Sequence, residues 1–506
     1  MEQLHAKSLK TELFDSSEMT LKDIIVSKIN DPTMREDADD AFFIGDLGDI
    51  IQKHRKWLRN LPRVEPHYAH SYIYLSFLSI TAVKCNPDVH VLKLLAALNI
   101  GFDCASKTEI QEILKIGVSP SRIIFANPCK QRSHLKYAAD NDVRLMTFDN
   151  EAELLKVKKV FPDAKLVLRI LTDDSTAQCQ LGLKFGCHPR HAPALLRTAQ
   201  DLELDVVGIS FHVGSGCRDP MTYIESIRNS KELFDFGNDL GFKMNLLDIG
   251  GGFPGQDSAP IKFEEFATVI NQALAENFPV GSGVRVIAEP GRFYVASAFT
   301  LAVNITAKRM VARDIPTFKV HESEDIVANT ISPSKCDEPA FMYYVNDGVY
   351  GSFNCLLFDH AEVEATLLKE RVGDVQMFST SIWGPSCDGL DRIIENHLMP
   401  ELEVGEWLIF QDMGAYTMCA SSEFNGFKRP ILYSIISKEY MSIVERITDQ
   451  PKPRNSCKAS FTQLATSPPR GFFDENSCLV DLPDPPYDDI YGLVDGGACR
   501  EIAAEI

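Results

Sequence analysis

Asp248-Ile249-Gly250-Gly251-Gly252-Phe253-Pro254-Gly255 ends a short apolar, β-prone run, residues 244–249. Similar runs occur at 80–84, 97–103, 122–126, 142–147, 165–170, 205–212 and 284–289. Between them lie segments of helical length, among them Lys107–Ile116, Ser133–Asn141, Glu151–Val160 and Ala192–Leu202. Eight strands that alternate with helices, many of them apolar on both faces, predict a parallel sheet buried on both sides. An open doubly wound sheet is the structural alternative. Eight units over roughly 210 residues fit an α/β barrel of the (β/α)8 TIM type better.

Working outward, Ala41-Phe42-Phe43-Ile44-Gly45-Asp46-Leu47 reads as a strand and its turn, and Ile50 to Leu61 as a helix stopped by Pro62. After residue 297 the helical alternation fades. Thr300–Ile305, Phe341–Val345, Trp407–Phe410 and Ile431–Ile436 are β-rich and separated by turn residues. The expected organisation is an N-terminal segment, 1–48, whose strand joins the later sheet; a barrel, 49–297; and a mostly antiparallel β domain, 298–445. Val311 to Pro339 reads as a charged loop. The proline- and acid-rich residues 446–506 read as a disordered tail.

The 506 residues carry 71 acids against 51 bases, a net charge of −20. That balance argues against nucleic acid or an anionic membrane as a partner. Met1 to Lys10 has no apolar signal-peptide core, and the longest apolar stretch, Tyr72 to Val83, is too short to span a bilayer. Thirteen scattered cysteines without ligand spacing predict reduced thiols, no metal site and a cytoplasmic protein.

Barrel active sites sit at the carboxyl ends of the strands, and the unusual residues of this chain collect there. Lys84 ends the first run in Ala82-Val83-Lys84-Cys85-Asn86, and Asp103 ends the second. Arg169 lies in the fifth. His212 ends the sixth in Ser210-Phe211-His212-Val213-Gly214-Ser215-Gly216, and Glu289-Pro290-Gly291-Arg292 ends the eighth. Read alone, Lys84 is either a lysine turning to solvent where a strand stops or an imine-forming lysine at a barrel mouth. Gly250–Gly252 alone would be a tight turn, and His212 alone a hydrogen-bonded core histidine. The second Gly-Arg pair, Gly291-Arg292, alters the balance, because phosphate sites in barrels are commonly built after strands seven and eight. A lysine, a phosphate cradle and an acid on one rim suggest pyridoxal 5'-phosphate, with Glu289 on the pyridine nitrogen and His212 on the ring face. Further on, Trp383-Gly384-Pro385-Ser386-Cys387-Asp388-Gly389-Leu390-Asp391 sets a thiol beside a carboxylate in a turn. Singly, Cys387 is an ordinary small apolar residue, and Asp359 and Tyr416 are ordinary surface residues.

Together these stretches resemble the eukaryotic ornithine decarboxylases, pyridoxal-phosphate enzymes with an alanine-racemase-like barrel, from about residue 41 to about 437. The resemblance also rests on Gly101 to Lys107, Ala126 to Gln131, Tyr344 to Asn354 and Ser381 to Asp391. It implies decarboxylation of L-ornithine to putrescine and CO2, the first step of polyamine biosynthesis. Lys84 resembles the Schiff-base lysine. Asp103, Arg169 and His212 resemble groups around the ring. Ser215, Gly250, Gly251, Gly252, Gly291, Arg292 and Tyr416 resemble the phosphate site, and Glu289 the pyridine partner. Asp359 and Asp388 resemble the carboxylates that take the distal amine, and Cys387 the residue that directs protonation of the α-carbon. In that family Cys387 and Asp388 arrive from a neighbouring subunit, which implies a homodimer, and Lys184 with Asp391 resembles a pair bridging the two subunits. Residues 132–156 resemble a segment that binds antizyme, and a catalytically inactive antizyme-inhibitor-like protein is the alternative reading.

Two features depart from the family. Phe358 replaces a tyrosine beside Asp359. The run His70 to Thr81 separates Pro66-His67-Tyr68-Ala69 from Ala82-Val83-Lys84, where the family has no gap. An insertion at a strand end shifts or bulges its register.

Overall fold

The computed structural model describes residues 11–15, 17–31, 37–69, 85–311, 340–373 and 375–441. Its strands in chain order are β1 (Glu12–Phe14), β2 (Phe42–Asp46), β3 (Val64–Ala69), β4 (Gly101–Cys104), β5 (Ile123–Phe125), β6 (Leu145–Phe148), β7 (Lys165–Arg169), β8 (Asp205–Ser210), β9 (Leu246–Asp248), β10 (Arg285–Ala288), β11 (Phe299–Met310), β12 (Phe341–Val345), β13 (Ala365–Leu367), β14 (Met377–Trp383), β15 (Arg392–Pro400), β16 (Trp407–Phe410) and β17 (Ile431–Ser437). Strands β3 to β10 form a closed parallel barrel, sealed by β10 on β3 through Val286↔Val64 and Ala288↔Pro66.

The apolar strands explain the closure. Ile124, Val167, Val207, Leu246 and Ile287 form a small cluster of their own. Their strand neighbours Phe125, Leu166, Val206, Leu247 and Val286 belong to the large cluster packed under the helices. Successive side chains point to opposite faces, so one set fills the barrel and the other seats the helices. The helix Glu151–Val160 forms over the residues expected, and Lys107–Lys115, Arg132–Asp140 and Ala192–Asp201 nearly so. Ser106 and Asn150 cap two of them by accepting the amide hydrogens of Glu109 and Glu153.

The first barrel strand differs from the expectation. The barrel is sealed by Val64–Ala69, and the run 80–84, with Lys84 in it, lies outside the described residues, as does the insertion ahead of it. Pro66 hides this strand in the sequence, because a residue without an N–H argues against a central strand. The second strand is also shorter than its apolar run, since the helix Val89–Ala97 takes the start of it.

The other sheet runs β1-β17-β2-β11-β12-β14-β15, with β16 on β11 and β13 on β16. Its parallel pairings join β1 to β17, β17 to β2 and β12 to β14; the rest are antiparallel. The sheet is therefore discontinuous in sequence, taking β1 and β2 from ahead of the barrel, and barrel and sheet pack as one body. The expected loop, Val311 to Pro339, lies outside the described residues except for Val311, and the expected tail, 446–506, lies wholly outside them. Among the described residues no helix is long and apolar enough to cross a membrane, no cluster of His, Cys, Asp and Glu could hold a metal ion, and every cysteine is free.

Candidate active site

The site starts from two loops laced across the barrel mouth. Where β9 ends, Asp248 Oδ1 accepts from the Gly250 amide at 2.9 Å, and the Gly250 carbonyl accepts from Glu289 N at 2.7 Å. The glycines are required by contact. A Cβ on Gly250 would strike the Phe211 carbonyl oxygen, and one on Gly251 would lie 2.8 Å from the Glu289 carbonyl and 2.9 Å from His212 Nε2. Gly252 has φ +112°, a conformation open to glycine. His212 thus rests against the glycine turn, with Nδ1 accepting from Gly214 N at 3.0 Å, which leaves any ring proton on Nε2.

The cradle is supported from below by aromatic packing. Trp57, on the helix Leu47–Asn60, is fully buried, with ring centroids 5.0 Å from Phe253 and 5.4 Å from Phe293. It thereby ties the glycine loop to the short helix Gly291–Val295 that carries Arg292. Lys53, on the same long helix, is buried and donates to the Gly255 carbonyl at 2.7 Å.

Arg292 is the hub. Its Nη2 donates to Ser215 Oγ at 2.8 Å and to Asp359 Oδ1 at 2.7 Å, and the guanidinium lies 4.8 Å from the Tyr416 ring centroid. Burial works against its charge, but the adjacent Asp359 carboxylate prevails and raises its affinity for the proton. Tyr416 has φ +58°, and its amide donates to the Cys85 carbonyl at 2.9 Å. Asn86 donates to the Gly414 carbonyl at 2.8 Å and accepts from Tyr68 Oη at 3.2 Å. The residue after Lys84 is therefore docked at this cluster from one side, and the end of β3 reaches it from the other.

A second set lines the inner rim. Asp103, next to last in β4, is fully buried, and Arg169 ends β7 with its guanidinium 5.3 Å from the Phe185 ring centroid. Burial pushes the Asp248 carboxyl above the ordinary range; the Gly250 amide and Glu289 oppose this, and the nearby Asp103 charge adds to it. Asp103, Arg169, His212, the Asp248–Gly252 turn and Glu289–Arg292 lie at the ends of five different barrel strands, while Lys84 lies outside the described residues.

Cys387 and Asp388 belong to another cluster. Asp388 accepts from the Tyr350 hydroxyl and, at 2.9 Å, from Leu390 N; first that amide and then the hydroxyl hold its carboxyl below the usual value. Cys387 is exposed, and its amide faces Asn425 Oδ1 at 3.4 Å. Asp391 is buried inside the subunit, its oxygens accepting from Val349 N and Ser386 N at 2.8 Å each. Its visible task is to organise that turn. Lys184 is exposed, with its ammonium 5.1 Å from the Phe185 ring centroid. Phe358 is 69% exposed, so the hydroxyl it lacks would have stood at a surface. Tyr350 and Cys179 touch the Asp388 and Asp359 carboxylates and Gln178 the Asp359 backbone carbonyl, but they carry no signal in spacing or composition, and only the fold reveals them.

The arrangement suits a phosphate. Narrow glycine turns admit close approach by an anion, Ser215 offers a hydroxyl, and Arg292 is a buried cation whose Nε has no hydrogen-bond partner among the described residues. Glu289 and Asp103 on the same rim are carboxylates that suit a cationic heteroaromatic ring.

Comparison with known proteins agrees with this geometry. Residues 47–296 match the family model for the pyridoxal-dependent decarboxylase, pyridoxal binding domain. The chain is 52% identical to ornithine decarboxylase of Mus pahari over 434 residues, covering 86% of this chain and 88% of the relative. It is 50% identical to antizyme inhibitor 2 of Xenopus laevis over 415 residues, 82% of this chain and 85% of the relative. The crystal structure of the Paramecium bursaria Chlorella virus arginine decarboxylase bound to agmatine superimposes with a TM-score of 0.71 at 33% identity, covering 82% of this chain and all of that one. From the closed barrel, the glycine-and-arginine cradle and half the residues shared with curated relatives over most of both chains, it follows that the chain belongs to the pyridoxal-dependent decarboxylase family.

Proposed function

We propose that the protein is a lyase that decarboxylates L-ornithine to putrescine and CO2 with pyridoxal 5'-phosphate as cofactor. The observation that carries the reading is Arg292, which joins a phosphate-type cradle at Ser215 to the buried carboxylate Asp359. Pyridoxal phosphate supplies a carbonyl for the substrate amine and a protonated ring that accepts the electrons left as CO2 departs.

The chain's own residues then have distinct tasks. Gly250–Gly252, Ser215, Gly291, Arg292 and Tyr416 would hold the phosphate, and Lys84 would hold the cofactor's aldehyde end. Glu289 keeps a proton on the ring nitrogen, while His212, Asp103 and Arg169 fix the ring's place. Asp359 takes the distal ammonium of the substrate. Its Oδ2 is buried and has no hydrogen-bond partner among the described residues, so one oxygen remains for a cation. Asp388 completes the ammonium site, and Cys387 directs a proton to the substrate α-carbon. Both would come from the second subunit of a homodimer with shared sites; of the pair expected to bridge it, Lys184 is exposed and would lie at the seam, whereas the Asp391 oxygens are held within their own subunit.

Antizyme-inhibitor-like activity is the second reading, favoured by the 50% identity to antizyme inhibitor 2. Residues 132–156, which include the helix Arg132–Asp140 and β6, are the surface proposed for antizyme in either case.

The test is purification with pyridoxal phosphate, an absorption spectrum, and CO2 release from ornithine. An imine band and CO2 are expected, and Lys84→Ala should abolish the band. A folded protein giving neither, with antizyme still bound, would overturn the enzyme in favour of the inhibitor. A variant lacking residues 70–82 measures what the insertion does to turnover.

A further inference from the structure

Asp359 and Ser215 come from distant parts of the chain, yet one short segment grips both. Cys179 and Ser215 exchange two backbone hydrogen bonds at 3.0 Å each, and Gln178 N donates to the Gly216 carbonyl at 3.1 Å. Gly214 and Gly216, both at positive φ, leave room for it: a Cβ on Gly214 would strike Ala177, and one on Gly216 would lie 2.7 Å from Gln178 Oε1. The side chains of the same two residues turn the other way. Gln178 Nε2 donates to the Asp359 carbonyl. Cys179 Sγ lies 3.6 Å from that carbonyl and 3.7 Å from Asp359 Oδ1.

The segment is itself braced. Asp174, buried, accepts from Leu181 N and Gly182 N with one carboxylate oxygen. Asp359, by contrast, follows the one-turn helix Cys355–Phe358 and precedes His360 at φ +50°, so local structure fixes its carbonyl weakly. Burial, followed by the Asp359 carboxylate, pushes the Cys179 thiol up to about 11, so it stays protonated and acts as a donor.

We infer that Gln178 and Cys179 are positioning residues that set Asp359 for the distal ammonium of the substrate: Gln178 fixes its carbonyl, and Cys179 joins Arg292 in occupying Oδ1, so that Oδ2 faces the cation. The inference rests on the reading of Asp359 as an ammonium-binding carboxylate. The substrate class is then an α-amino acid whose side-chain cation lies at one fixed distance, and these two residues sharpen that distance. Neither touches the reacting carbon, so their loss weakens binding rather than chemistry.

The test uses the cofactor-loaded enzyme and four variants: Gln178→Leu, Gln178→Glu, Cys179→Ala and Cys179→Ser. KM and kcat are measured for ornithine and for lysine, and the Kd of 1,4-diaminobutane by calorimetry. Loss of one neutral hydrogen bond corresponds to about a 2- to 10-fold change. Gln178→Leu should raise the ornithine KM and the diamine Kd by about that factor, with kcat within about twofold and reduced preference for ornithine over lysine. Gln178→Glu, which sets a carboxylate against the carbonyl, should raise them further. Cys179→Ala should behave as a weaker form of Gln178→Leu, and Cys179→Ser, which keeps a donor, should stay near wild type. Asp359→Asn is the control. If it leaves KM and the diamine Kd unchanged, the ammonium reading itself falls. If it raises both while Gln178→Leu and Cys179→Ala raise neither, or lower kcat alone, the positioning roles fall and Asp359 keeps its own.

Discussion

The Arg292–Asp359 pair is the residue on which most of the site's electrostatics turns. Both side chains are nearly excluded from water, and they lie 2.7 Å apart. A buried pair of this kind contributes little net stability, because desolvation offsets attraction, but removing one partner strands the other. Arg292→Met should therefore destabilise the protein by about 3–5 kcal/mol. Arg292→Met with Asp359→Leu should recover most of that, giving a coupling well above about 1 kcal/mol in a double-mutant cycle. Urea denaturation at fixed protein concentration measures it, and additive losses would contradict the pairing. From the sequence, Arg292 was legible in its Gly-Arg pair after the eighth run, and Asp359 only through the family resemblance, being an ordinary surface residue when read alone. Their contact was not, because the partners are 67 positions apart and no periodicity links a barrel loop to a turn after β12.

At the scale of elements, strands and helices with regular patterns were read almost as they form, and irregular segments were not. β7 to β10 are continuous apolar runs and fall where expected. β3 escaped, because Pro66 masks it while a more apolar run at 80–84 competes for the assignment. The loop 174–182 has no pattern to read; its shape comes from the Asp174 carboxylate and from pairing with Ser215. The helix Val89–Ala97 is held by a capping device. Asp88 accepts from His90 N at 3.0 Å and Val91 N at 3.1 Å, and its own amide is held by Asn86 Oδ1 at 3.0 Å. This cap fixes the chain that brings Cys85 to Tyr416. Asp88→Ala should cost about 1 kcal/mol, and Asp88→Asn should cost much less, read as shifts of the urea midpoint. Equal losses in the two variants would place the role of Asp88 outside the cap.

For the whole molecule, pH sets buried groups of opposite sign against one another. His67 is fully buried, and burial lowers its pKa to about 4. Between about 6.5 and 4 the unfolded chain takes a proton that the folded one refuses, so stability falls as pH falls. Asp46 and Asp347 oppose this: burial raises each to about 6, so the folded state takes protons below that pH before the unfolded state does, and stability rises as pH falls. Partial loss of the −20 net charge acts in the same direction as the carboxylates. Asp347→Asn isolates one term. Asp347 Oδ1 accepts from Gly348 N at 2.8 Å and Ser352 N at 3.0 Å, and an asparagine oxygen preserves both bonds. Among the described residues Asp347 Oδ2 is buried without a hydrogen-bond partner, and the Ser352 hydroxyl beside the carboxylate is an acceptor within reach of the new amide. The variant removes a carboxylate that is ionised and costly at pH 7 but protonated at pH 4. It should be more stable than wild type at pH 7 by up to about 3 kcal/mol, and the gap should close as pH falls through 6 to 4. Urea denaturation at pH 7, 5.5 and 4 gives the two curves; if they run parallel, Asp347 does not titrate differently in the folded and unfolded states, and the balance lies with His67 and Asp46 alone.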